Sequence, residues 1–213
     1  MDIQPDQLSH QQIYKLMIGA IVPRPIAWVS SLNLAGARNL APFSFFTAIC
    51  PRPPTLVFSP MIRNTDDMEK DTLRNIRETG EFVVNVVTEA TIAAANISST
   101  EFPPDIDEFV AANLTPTPSV IVKPPRVAES PINFECRLNQ IVTISDEPGG
   151  GSLVIGTVVY IHVRDDVLSG DYRIDADALR AVGRMAGADY SRTTDRFALE
   201  RPLSQVQRRP IKS

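Results

Sequence analysis

Three stretches of the chain gather residues that could hold or transform a ligand. The first is NLAPFSFF at 39–46. A proline withholds one backbone donor and confines its strand to an edge or a bulge, where neighbouring N–H groups can face a bound molecule. Ala41 and Ser44 leave room for a flat ring system, and Phe43, Phe45 and Phe46 supply apolar walls. The same residues would also serve as a plain core strand. The second stretch is Lys70-Asp71-Thr72, at the start of a predicted helix. First-turn N–H groups and the helix dipole favour an anion such as phosphate, and Lys70 adds charge. An ordinary N-cap beside a solvated lysine reads from the same three residues. The third pairs His162, on a long predicted strand, with GRMAGADY at 183–190. A small-residue loop carrying Arg184 and Tyr190 can close over a cofactor, or can lie across a barrel with its tyrosine as a packing anchor. His162 alternates with Tyr160 and Val158, a setting that equally suits a satisfied, half-buried imidazole.

Other chemistries find little footing. There is no GxGxxG, GxxxxGK[ST], GxSxG or HExxH, so the nucleotide, hydrolase and zincin motifs are absent. A Ser–His–Asp site would have to rest on His10 or His162 alone. Cys50 and Cys136 are far apart, with no CxxC and no zinc-like spacing, which points to a reducing cytosol.

The elements that must position these residues follow from patterning. Ser9 with Gln12 forms a capping box ahead of Ile13, Leu16, Met17 and Ala20, a short helix that must end before Pro23 and Pro25. Strands are predicted at 25–31, at 38–46 with an interruption at Pro42, at 55–59 and at 81–88; a helix over 70–79 is stopped by Gly80. Short helices are expected near 90–97 and 106–112, then a proline-rich crossover over 114–131. In the strand at 132–144, Ile132, Phe134, Cys136 and Leu138 take one side while Glu135, Arg137 and Asn139 take the other. A last strand covers 152–163, and the chain beyond Leu179 reads as irregular. With 18 prolines against 10 glycines in 213 residues and 43% hydrophobic content, this is a folded protein with many strand boundaries rather than a disordered one. The pattern is mainly β with inserted helices: an antiparallel, Greek-key-like barrel with excursions. One domain is expected over 1–200, followed by a basic tail at 201–213 with four bases and no acid. Net charge is −4, so the field disfavours nucleic acid and anionic membrane surfaces; no run is long enough to span a membrane and the start is unlike a secretory signal.

Taken in order, RPIAWVSS (24–31), NLAPFSFF (39–46), KDTLRNIRETGEFVVN (70–85), VKPPRVAESP (122–131), VIGTVVYIHV (154–163) and the GR…DY loop (183–190) resemble the flavin reductase-like family, and within it the flavoredoxin-type branch. The resemblance spans nearly all of residues 10–197. It implies a split β-barrel that binds FMN, a homodimer with the flavin near the subunit interface, and NAD(P)H-dependent reduction of flavin. Electrons would then go to free flavin, oxygen, a partner monooxygenase or another redox protein. The alternative it leaves is an FMN-holding electron carrier without its own nicotinamide oxidation. Residue by residue, it places Trp28, Val29, Ser30, Asn39, Ala41, Pro42, Phe43 and Ser44 along the isoalloxazine and ribityl chain. Backbone N–H groups around 41–44 would donate to the ring. Ser59 would lie near the phosphate end, with Lys70, Asp71 and Thr72 at the phosphate itself. His162, Arg184 and Tyr190 would face the open side of the flavin, where NADH or NADPH would stack. No metal is implied.

Overall fold

The computed structural model describes residues 1–63, 65–103 and 106–204; most of the expected basic tail, from 205 onward, lies outside the described residues. The capping box forms in full: the Ser9 hydroxyl accepts from the Gln12 amide, and the Gln12 side chain accepts from the Ser9 amide. It opens α1 (His10–Ala20). The second long helix, α2 (Asp71–Thr79), ends where Gly80 adopts the left-handed conformation at φ 71°. Three short helices follow: α3 (Ile92–Ile97), α4 (Glu108–Ala111) and α5 (Ala176–Leu179). The strands are β1 (Ala27–Leu32), β2 (Arg38–Phe43), β3 (Phe46–Pro51), β4 (Pro54–Phe58), β5 (Glu81–Val86), the two-residue β6 (Pro116–Thr117) and β7 (Arg126–Val127), and the long β8 (Ile132–Ser145) and β9 (Gly151–Val163). Four short strands close the chain: β10 (Leu168–Ser169), β11 (Arg173–Ile174), β12 (Val182–Arg184) and β13 (Tyr190–Arg192). No helix among the described residues is long and apolar enough to cross a membrane.

Seven strands form one antiparallel sheet in the order β2-β1-β5-β8-β9-β4-β3. Its two edge strands, β2 and β3, are consecutive in the chain and are joined by Ser44 and Phe45 alone. In a flat sheet they would stand roughly 29 Å apart at about 4.8 Å per strand. The connecting chain spans at most about 11 Å. The sheet therefore rolls until its edges approach, but β2 and β3 do not pair, and the result is a barrel open along one seam: a split barrel. At that seam the Ser59 amide donates to the Phe45 carbonyl at 2.8 Å.

The period of two along β1 divides the core. Ala27 and Val29 join Phe43, Phe58, Phe82 and Val84 inside the barrel, where α2 adds Leu73 and Ile76. The Phe58 ring lies 5.0 Å from that of Phe43 and 5.6 Å from that of Phe82. Trp28 and Leu40 face the other way and pack with Phe109, Val127 and Ala95 under the connecting segments.

The strand expected at 38–46 differs in one informative respect. It runs straight through Pro42 and breaks two residues later, at Ser44 and Phe45, after which β3 begins. β2 is an edge strand, so Pro42 costs no ladder bond. Leu40, two residues earlier, turns its amide outward to the Glu108 carboxylate at 3.1 Å. By the two-residue alternation, Pro42 occupies the next outward position, where an N–H would face the seam. The amides of Ala41 and Phe43 are thereby directed toward β1, and Ser44 lies just beyond the end of the ladder. The stretch after Leu179 is also more ordered than expected, forming the β12–β13 hairpin.

One close approach tests the barrel core. A Cβ added to Gly156 on β9 would lie 2.3 Å from Cζ of the fully buried Phe82. Gly156→Ala should cost about 1–3 kcal/mol as overpacking, read as a lower denaturant midpoint at unchanged m-value. Gly19→Ala, where a new Cβ meets nothing within 4 Å, should be neutral or mildly stabilising.

Candidate functional site

Two cavities open on the seam, and both are walled by Pro42 and Ser44. The larger, of about 730 Å³, is bounded by Phe43 and Phe45 from the seam, Tyr14 and Met17 from α1, and the glycines of the β8–β9 turn. Ser59, Ile62 and Lys70 line it as well. α1 and the turn meet at one point: Gly149 has φ +83°, and a Cβ there would lie 2.8 Å from the His10 ring. The smaller cavity, about 130 Å³, lies between Ile26, Ala95, Asn96, Ser99, Arg184 and Tyr190. Arg184 stacks over the Tyr190 ring at 4.4 Å, and the Tyr190 hydroxyl donates to Asn96 Oδ1 at 3.3 Å.

Behind Ser44 sits Arg24, only 4% exposed. Its guanidinium donates to the carbonyls of Ile18 (2.6 Å) and Ile21 (2.9 Å) at the end of α1, to the Met185 carbonyl (2.9 Å) and to Ser44 Oγ (3.3 Å). No carboxylate pairs with it among the described residues. Burial lowers its pKa from the ordinary arginine value; Tyr14 partly opposes that shift, and Arg184 adds to it.

The start of α2 has no side-chain cap, and Lys70 occupies the N-cap position facing the larger cavity. Lys70 Nζ lies 2.9 Å from Glu101, which also accepts from the Thr65 hydroxyl at 2.6 Å. The bonds from Thr65 and Lys70 hold the Glu101 carboxyl below its usual range. Asp71 is turned aside into ion pairs with Arg63 and Arg74. Thr72 is buried, and its hydroxyl accepts from Asn39 at 2.8 Å; Asn39 also reaches the Ser31 hydroxyl at 3.3 Å. Asn39 and Thr72 thus lock α2 to β2 behind the cavity wall.

The residues expected at the site therefore divide. Pro42, Phe43, Ser44, Ser59 and Lys70 converge on the larger cavity, and Arg184 and Tyr190 on the smaller one. Ala41 packs against the barrel core. Trp28, Val29 and Ser30 line neither cavity, because β1 is covered on both faces: the Trp28 indole donates to Ser98 at 2.9 Å, and the Ser30 hydroxyl donates to the Pro125 carbonyl. His162 is also elsewhere. Its Nε2 lies 2.6 Å from Glu135, and its ring stacks against Tyr160 at 4.7 Å. Glu135, expected on the polar side of its strand, is fully buried beneath the proline-rich crossover and accepts from the amides of Val120, Ile121 and Val122 at 2.6–3.0 Å. His162 is spent on holding that crossover. Arg24, the α1 residues, the glycine turn, Asn96 and Ser99 had not been singled out as site residues. Arg24 carried a signal, being an arginine between two prolines just before a predicted buried strand.

The larger cavity falls within the range of about 300–1,000 Å³ common for small-molecule sites. Its aromatic and aliphatic walls, the Ser44 edge and the uncapped helix start with Lys70 are complementary to a flat ring system that bears a phosphate tail, so FMN fits the residues present.

Comparison with known proteins follows the same line. Residues 18–180 match the model of the flavin reductase like domain. An uncharacterised protein of Halalkalibacterium halodurans is 43% identical over 210 residues, 98% of this chain and 100% of that protein. Among solved structures, nitrilotriacetate monooxygenase component B from Bacillus cereus superposes with TM-score 0.88 at 35% identity, over 93% of this chain and 98% of that one. The 2-nitrobenzoate 2-nitroreductase of Pseudomonas fluorescens gives TM-score 0.85 at 35% identity, over 95% and 96%.

The Glu135 cluster can be tested apart from the cavities. Burial alone would raise this carboxyl, but the hydrogen bonds from His162 and the three amides outweigh it and hold the pKa below the ordinary value. The resulting stability is present above the unfolded-state pKa and is lost as pH falls through the lower folded one. Glu135→Gln should cost about 3 kcal/mol at neutral pH and flatten the acid limb of stability against pH, as measured by urea unfolding from pH 7 to pH 3.

Proposed function

We propose, from the premise that this chain belongs to the flavin reductase-like family, that it binds FMN in the larger seam cavity and reduces it with NADH or NADPH. Electrons would pass on to free flavin, oxygen or a partner monooxygenase. The observation that carries this reading is the composition of one cavity: apolar walls and the free edge at Ser44, with Lys70 and an uncapped helix start on the same lining.

When bound, FMN would supply hydride acceptance and the release of electrons singly or in pairs. The chain supplies the rest. Phe43, Phe45, Tyr14 and Met17 would exclude water from the ring. Ser44, hydrogen-bonded by Arg24, would present its amide to a ring carbonyl. Lys70 and the first amides of α2 would hold the phosphate, with Lys70 exchanging Glu101 for the ligand oxygen. Arg184 and Tyr190, in the adjoining cavity, would orient the nicotinamide side. Asn39 and Thr72 act behind the wall, and His162 takes no part in the chemistry.

A second copy of the chain fits beside this site. Leu16 and Met17 on α1, Ile21 just after it and Ile49 on β3 are large apolar side chains left exposed near the seam, and we assign them to a homodimer interface. The similarity to component B of a two-component monooxygenase supports a monooxygenase partner. Two free cysteines, Cys50 exposed and Cys136 buried, suit a reducing cytoplasm.

Purified protein should take up FMN, and anaerobic NADH or NADPH should bleach the flavin band. A bound flavin that neither nicotinamide bleaches would leave an electron carrier instead, and a protein that takes up no FMN would end the flavin reading. Lys70→Ala should weaken FMN about tenfold or more while leaving riboflavin, which lacks the phosphate, unchanged; equal effects on both would place the phosphate elsewhere. Thr72→Ala, by contrast, should act on stability through Asn39.

A further inference from the structure

Arg24 is a buried cation with no acidic partner among the described residues, and it stands one hydrogen bond behind the wall that the two cavities share. Its four acceptors are neutral: three backbone carbonyls and one hydroxyl. They take four of its five N–H donors and leave the unit charge uncancelled. The guanidinium carbon lies 6.0 Å from the centre of the Phe45 ring, another wall of the larger cavity. A fixed charge in a poorly solvated setting acts over such distances far more strongly than it would in water. Arg184, in the smaller cavity, has the same sign. The shared wall at Pro42 and Ser44 therefore lies in a positive field, and any ligand that gains negative charge there is stabilised by it.

We propose that Arg24 is a positioning residue that acts through Ser44 to favour reduced over oxidised FMN in the larger cavity. This rests on the flavin reading given above. Reduction adds two electrons and one proton to the ring: as hydride from a reduced nicotinamide in the reaction, or as two electrons from dithionite with one proton from water in the test. Two electrons with one proton leave the ring one unit more negative. The field of Arg24 therefore binds the product of reduction more tightly than the starting form. Its hydrogen bond to Ser44 fixes the group that presents that field to the ligand.

The test is a pair of anaerobic titrations of the full-length, flavin-free protein, one with oxidised FMN and one with dithionite-reduced FMN. Arg24→Gln should lower the ratio of reduced to oxidised affinity about tenfold, equivalent to about 30 mV in a two-electron couple. Arg24→Lys, which keeps the charge, should preserve the ratio. If Arg24→Gln fails to fold by circular dichroism, the Ser44 pair decides. Ser44→Ala removes the hydroxyl that accepts from Arg24 and should lower the ratio, whereas Ser44→Thr, which keeps a hydroxyl, should not. Equal weakening of both flavin forms in Arg24→Gln, or a wild-type ratio in Ser44→Ala, overturns the role of Arg24 while leaving flavin binding intact. Absence of FMN uptake by the wild-type protein overturns both.

Discussion

A guanidinium buried without an acid has to be satisfied by neutral acceptors, and at Arg24 that demand draws three separate parts of the chain to one point. The last turn of α1 offers the Ile18 and Ile21 carbonyls, the segment after β12 offers Met185, and the seam offers Ser44. A helix C-terminus is a favourable place for a cation, because its carbonyls lack intrahelical partners and carry the negative end of the dipole. The Arg24 backbone adds a bridge to Arg184, with amide–carbonyl distances of 3.0 and 2.8 Å in the two directions. Only glycine fits next to this bridge, since a Cβ on Gly183 would lie 2.7 Å from Pro23. One side chain and one backbone pair therefore tie together parts of the walls of both cavities. A change at Arg24 reaches α1, the β12–β13 hairpin and Ser44 together.

The same solution recurs with the sign reversed. Glu135 is buried beneath the crossover and is met by three consecutive amides and by His162, so the proline-rich segment is fastened by a charge rather than by an extended ladder. Glu108, on α4, accepts from the outward amide of Leu40; burial raises its pKa, and the bonds from its own amide and from Leu40 partly offset that shift. That contact also covers a donor on edge strand β2, where an unpaired N–H would invite another chain. Segments too short to pair are anchored to the barrel by buried charges that accept from, or donate to, the backbone.

This arrangement explains what the sequence could and could not reveal. The Ser9–Gln12 box, the Gly80 stop and the β-branched run at 81–86 depend on neighbours in the chain, and each was legible from local pattern. β3 was not, because Phe46–Pro51 is almost wholly exposed and lacks the buried alternation that marks a strand. The β12–β13 hairpin depends on the backbone of Arg24, more than 150 positions away, and leaves no local periodicity. Of the site, Pro42, Ser44, Lys70, Arg184 and Tyr190 come together at the seam from signals of residue type, and Ser59, implied by the resemblance alone, joins them. Trp28, Val29 and Ser30 lie in the segment before it, but their side chains hold the strand in place. His162 takes the satisfied, half-buried setting that its residue pattern allowed rather than the place the resemblance implied; Glu135 was misplaced because alternation along β8 assigns a carboxylate to solvent, and only the fold shows a crossover above it. Leu16 and Met17 fit helical spacing as core residues, yet Ile18 is the one residue of α1 that is buried.

The position of the cavity follows from topology before any ligand is considered. The barrel interior is packed by Phe43, Phe58 and Phe82, with Gly156 lying close against Phe82. A two-residue link between first and last strands forces closure but gives the two edges no register in which to pair. Along the seam, edge strands present outward backbone groups that need partners. Glu108 takes one at Leu40, proline removes the donor at position 42, and the next outward donor is Ser44. Ser44 has Arg24 behind its hydroxyl and lines both cavities, the larger one together with Phe43 and Phe45. A split barrel of this connectivity creates its binding site as the remainder of its own closure, and the chemistry of the site is set by which few residues fall at the gap.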